Sequence, residues 1–144
     1  MNLRILLSVY AALMALGGLI WLLLPAQHLV LYGVMAPDPL ALLLGRFAGT
    51  MAIALAVMAW NARRAPRSPA RHALVLGITV ANTLGAAVCV LFAMSGTLNA
   101  FAWGPVGSYV LFSVLFIIAG RVAMMENVTD DPEAQRRPLP PVLA

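Results

Sequence analysis

The chain of 144 residues has no lysine, one cysteine and charged side chains at only 10% of its positions. An ordinary soluble domain carries about 25%. Each shortage excludes a class of chemistry. A single cysteine, Cys89, cannot form an internal disulfide, a CxxC redox pair or a thiolate metal cluster, and it reads as a small apolar packing residue. The acidic residues are Asp38, Glu126, Asp130, Asp131 and Glu133, all outside the apolar runs described below. The membrane-embedded carboxylate of a proton-coupled pump or a small multidrug exporter is therefore missing. The two histidines, His28 and His72, flank different ends of the apolar runs and cannot ligate one group together. No Ser/His/Asp set lies on one side of these runs, and there is no glycine-rich phosphate loop and no HExxH. No metal and no cofactor are expected on this basis.

What the chain does have is apolar sequence, at 62% of its residues. It falls into four runs, Ile5–Leu24, Pro39–Trp60, Ala73–Met94 and Phe101–Ala123. Each is long enough to cross a hydrocarbon core of about 30 Å as a helix rising about 1.5 Å per residue. A soluble protein this short cannot hide so much apolar surface, whereas a bilayer solvates it. The fold expected is all-α: a polytopic bundle of four transmembrane helices with short loops, occupying residues 1–125. The first run exceeds the 7–15 residues of a signal-peptide core, and Leu24-Pro25-Ala26 is a poor cleavage site, so it reads as a retained span. Residues 126–144, rich in proline and charge, lack the patterning to fold alone and are expected to form a disordered cytoplasmic tail.

The arginines orient the bundle. Arg63, Arg64, Arg67 and Arg71 crowd the loop between runs two and three, Arg4 precedes run one and Arg121 closes run four. The loops 25–38 and 95–100 contain no arginine or lysine. Arginine-rich short loops stay on the cytoplasmic side, so both termini and the middle loop are expected inside. Trp21, Tyr32 and Trp103 then sit near the outer interface and Trp60 near the inner one. The basic excess has this topological role, and no nucleic-acid partner is expected. Pro25 ends the first span, and the segment 27–35 is too short to cross and lies along the outer interface.

Helices in lipid associate through close backbone approach and interhelical hydrogen bonds. Gly45 and Gly49 on span two, continued by Ala52, Ala56 and Ala59, mark one packing face, and Gly77, Ala81 and Gly85 on span three another. Ala11, Ala15 and Gly18 form a looser row on span one. The polar residues within the spans are the candidate ligand contacts. Arg46 lies about 9 Å inside span two, and three readings of it stand open. It snorkels to outer headgroups, it pairs with Tyr109, Ser108 or Asp38, or it holds the anionic or carbonyl end of a ligand. Thr79, Asn82 and Thr83 share a face of span three, with Thr50 and Ser113 as candidate partners for the central Asn82.

With the run Leu44-Gly45-Arg46-Phe47-Ala48-Gly49 opening span two, a proline closing span one and Arg63-Arg64 in the basic turn, the chain resembles the DoxX-like superfamily. The closer likeness is to its branch of small bacterial four-helix integral membrane proteins of unknown function, over residues 3–123. The resemblance implies a four-helix bundle without intrinsic catalysis, in a bacterial cytoplasmic membrane. The leading functional expectation is a non-enzymatic accessory subunit or a lipid- or quinone-binding bundle, in which Arg46, Tyr109, Asn82 and Thr79 line any pocket. Its partners are the lipid bilayer and either another membrane subunit or further copies of the chain. The alternatives are a small oligomeric channel or transporter, with Asn82 and Thr79 facing water, and a lipid-modifying membrane enzyme. In the last, Arg46 binds the headgroup and Tyr109 or His28 serves as acid or base.

Overall fold

Hydrocarbon offers the backbone no hydrogen-bond partners, so an apolar run that crosses it closes its own ladder as a helix. The computed structural model describes residues 2–66 and 68–129, with side chains described as far as Arg121. Its elements are helices α1 (Leu3–Leu23), α2 (Pro25–Leu31), α3 (Pro39–Ala62), α4 (Pro69–Met94) and α5 (Trp103–Thr129), with a 3-10 turn at Ala100–Ala102. Four of these are long and apolar enough to span a membrane. The protein is an all-helical membrane bundle.

Local chemistry sets the ends of these helices. Asp38 caps α3, its carboxylate accepting from the Ala41 N–H at 2.7 Å, and Pro39 occupies the first helical position. Ser68 and Pro69 repeat the arrangement at α4. This cap starts α4 at Pro69, ahead of the Ala73 at which apolar sequence begins. At the other extreme α5 continues past Ala123 to Thr129. The rest of the expected tail, 130–144, lies outside the described residues. Pro25 ends α1 and serves as the first residue of α2.

The helices pair as α1 with α3 and α4 with α5, while α3 and α4 touch less. The core lies towards the end of the bundle where α1 begins, here called the near end. It is built from Leu6, Leu7, Tyr10 and Ala11 of α1, Ala59 and Ala62 of α3, Val75 and Ile78 of α4, and Phe112, Phe116 and Ala119 of α5. Tyr10 is the hub, meeting the Phe112 ring edge-on at 5.0 Å and the Phe116 ring at 5.2 Å.

A second aromatic group caps the far end. Trp21 meets His28 at 4.5 Å and stacks on Tyr32 at 6.2 Å, and Tyr32 meets Phe101 at 5.5 Å. Asn99 clamps the two far-end loops together. Its backbone N–H donates to the Tyr32 carbonyl at 3.0 Å and its side-chain amide to the Leu31 carbonyl at 2.8 Å. Gly33 (φ +91°) and Gly96 (φ +71°) supply the left-handed backbone these turns need.

Candidate functional site

The packing glycines fall into two groups. Gly49 lies against α1 so closely that a Cβ on it would stand 2.7 Å from the Gly18 carbonyl and 2.7 Å from the Leu22 nitrogen. Gly18 faces the same crossing, its hypothetical Cβ 2.9 Å from the Gly49 carbonyl. Backbone therefore meets backbone where α1 crosses α3. Gly45 sits one turn further towards the far end under the Trp21 ring, and Gly85 lies under the Tyr109 ring, a Cβ on it standing 3.0 Å from the nearest ring atom. Ala81, on α4, is half-buried. Gly77 differs from these, and the expectation for it needs correcting: a Cβ there would meet nothing within 4 Å. The packed face of α4 runs through Val75, Ile78, Asn82 and Ala86, and Gly77 stands about 100° around the helix from Ile78.

The mid-bundle polar residues resolve into one buried amide and a hydroxyl pair. Asn82 is 1% exposed. Its Nδ2 donates to the Tyr10 hydroxyl at 3.0 Å and to the Ile78 carbonyl at 2.7 Å. Its Oδ1 is buried without a partner among the described residues. Asn82 points inward, yet its partner is neither Thr50 nor Ser113. Thr50 is exposed and donates to its own helix at the Phe47 carbonyl. Ser113 lies 3.4 Å from the Thr83 hydroxyl instead. Each of those hydroxyls already directs its proton to its own helix, Thr83 to the Thr79 carbonyl and Ser113 to the Tyr109 carbonyl. The 3.4 Å approach therefore adds little. Thr79 donates to the Val75 carbonyl and is half-buried.

Arg46 stands apart from this group. It is exposed on α3, and no hydrogen bond or ion pair engages it among the described residues. Asp38 is occupied as the cap of α3, and Ser108 donates to the Pro105 carbonyl. Around α3, Gly45 and Gly49 face α1, whereas Arg46, Thr50 and Val57 share an exposed face rotated from them by about 60–140°. Arg46 thus lies on the outside of the bundle, and Asn82 on the inside. The four candidate ligand contacts do not converge on one pocket: Tyr109 and Asn82 both lie on the inner side, and Arg46 does not join them.

Tyr10 is the functional-site residue that sequence reasoning missed. The available signal was a phenol inside an apolar span, which in lipid must find a partner as surely as an amide. Tyr109 packs over Gly85 of α4, and Tyr32 is buried in the far-end cap. At the cap, burial pushes the Tyr32 phenol above its ordinary pKa and the His28 imidazole below its own. The Tyr32 hydroxyl, 3.4 Å from His28 Nε2, is placed to donate to the neutral ring.

Among the described residues no group of three or more His, Cys, Asp or Glu could hold a metal ion. His28 and His72 lie at opposite ends of the bundle, the first in α2 and the second in the first turn of α4. Compared with known protein families, with characterised proteins and with solved structures, the chain matches none of them.

Proposed function

We propose that this protein is a non-enzymatic integral membrane subunit that works by binding, either to lipid or quinone or to another membrane protein. The observation that carries the reading is the packed interior. Leu7, Tyr10, Ile78, Asn82 and Phe116 are all below 2% exposure at the level where a path would have to run. Their one amide is engaged by a phenol from another helix. A side-chain plug of this kind supports a scaffold and opposes conduction through a single copy. No carboxylate cluster comes together among the described residues, and the one hydroxyl–imidazole contact, Tyr32 with His28, is long at 3.4 Å, which weighs against the lipid-modifying enzyme. Arg46, on the outside of the bundle, is placed for lipid phosphate or a partner subunit.

The reading extends to a DoxX-like protein of a bacterial cytoplasmic membrane with both termini inside, supported by the Leu44–Gly49 pattern and the one-sided arginines. Native mass spectrometry of the protein, gently extracted from its own membrane, tests the proposal. A reproducible extra mass, whether lipid, quinone or subunit, is the expected result. A bare homo-oligomer that conducts ions after reconstitution overturns it.

A further inference from the structure

The two helix pairs are joined differently at the two ends of the bundle. At the near end α1, α3, α4 and α5 all contribute to one core, which closes at the Tyr10–Asn82 contact. Beyond Asn82 the close glycine approaches stay inside a pair. Gly18 meets Gly49 and Trp21 covers Gly45 between α1 and α3, and Tyr109 covers Gly85 between α4 and α5. The far end is bridged by α2 and Tyr32, which continue from α1 and reach the 3-10 turn leading into α5. Tyr32 is 7% exposed and meets the Phe101 ring of that turn at 5.5 Å.

Asn99 fastens this bridge. The carbonyls of Leu31 and Tyr32 end α2, where a helix leaves its own acceptors unpaired. Asn99 supplies both with donors, its side-chain amide to Leu31 at 2.8 Å and its backbone N–H to Tyr32 at 3.0 Å. Leu31 and Asn99 are exposed, so water competes for the side-chain bond. The bridge also has a pivot at each end. Leu24 leaves helical geometry, at φ −127° and ψ 46°, just ahead of Pro25, and Gly33 adopts φ +91°. Residues at the ends of elements are where a hinge absorbs its backbone rotation.

We propose that residues 25–32 form a strap across the far end of the bundle, latched by Asn99, whose release opens a path between the two helix pairs as far as Asn82. The floor of that path carries Asn82 Oδ1, a buried acceptor with no partner among the described residues. The strap is a property of the bundle alone and does not rest on the accessory-subunit reading.

The test is thiol labelling of Ala86→Cys in a Cys89→Ala background, reconstituted in lipid vesicles, with a charged, water-soluble maleimide. Ala86 is buried one turn beyond Asn82 on the strap side, about 12 Å inside the end of α4. Asn99→Ser keeps an acceptor for the Phe101 N–H but is too short to reach Leu31, so it removes the latch bond and retains the start of the turn. It is expected to speed labelling from the far side about fivefold, the worth of one hydrogen bond. Ala59→Cys, within the near-end core, is expected to stay unlabelled with or without the latch. A staple gives the converse. A Cβ on Gly33 would stand 3.7 Å from that of Asn99, a separation a disulfide spans. Gly33→Cys/Asn99→Cys carries the same strain at position 33 whether oxidised or reduced. Oxidation is expected to stop labelling at position 86, and reduction to restore it. Unchanged labelling in Asn99→Ser overturns the proposal. So does equal acceleration at Ala59→Cys, which would mean a loosened bundle, or equal labelling of the oxidised and reduced staple.

Discussion

At the scale of single residues, the Tyr10–Asn82 contact decides what the middle of the bundle can do. The amide donates twice and, among the described residues, accepts nothing, leaving Oδ1 buried without a partner there. Removing one partner of a buried hydrogen bond costs more than removing both. Tyr10→Phe is therefore expected to destabilise the bundle by about 0.6–1.7 kcal/mol, the range measured for interhelical hydrogen bonds in membranes. Adding Asn82→Leu is expected to recover most of the loss. Reversible unfolding in mixed micelles reads both variants. That Asn82 faces inward follows from its position in the span, because an unpaired amide in hydrocarbon is expensive. Its partner does not follow, since Tyr10 is 72 positions away and the helix register that joins them is set by tertiary packing.

His28 gives a pH dependence at the far end. Burial lowers its pKa, so the folded protein releases its proton more readily than the unfolded chain does. The stabilisation by neutral His28 is fully present above the unfolded value of about 6.5 and is lost as pH falls through the lower folded value. The melting temperature is expected to drop across that window in the wild type and to drop less in His28→Gln, measured by circular dichroism.

At the scale of elements, small residues mark where helices meet only when a neighbour stands opposite. Gly49→Ala places a methyl group 2.7 Å from two backbone atoms of α1 that cannot move aside as a side chain would. Overpacking of this kind costs about 1–3 kcal/mol and separates α1 from α3. Gly77→Ala meets open space and is expected to be neutral, or to stabilise α4 by up to about 1 kcal/mol through helix propensity. Unfolding midpoints measured side by side are expected to fall for Gly49→Ala and to hold or rise for Gly77→Ala. Gly49 and Gly77 look equivalent on paper, although Gly85, in the same row as Gly77, does pack under Tyr109. What separates them is rotation about the helix axis relative to a neighbour, which no local pattern contains. The spans themselves were readable because lipid imposes length and apolarity on any helix that crosses it. Their ends shifted where a cap, such as Ser68-Pro69, extends helix beyond apolar sequence.

At the scale of the whole molecule, the account rests on an interior closed by side chains from the near end of the bundle up to Asn82. Leu7, Tyr10, Ile78 and Phe116 surround the level of Asn82, and the most conspicuous charge, Arg46, lies outside the bundle. The sequence placed Arg46 and Asn82 at plausible depths for one pocket, but depth does not determine facing, and the two residues face opposite ways. The most direct measurement is thiol labelling of Asn82→Cys in a Cys89→Ala background, reconstituted in lipid vesicles and treated with a charged, water-soluble reagent from each side. The account predicts no labelling from either side until the bundle is unfolded. Rapid modification of the folded protein would place water at Asn82 and contradict the closed interior on which the binding role depends.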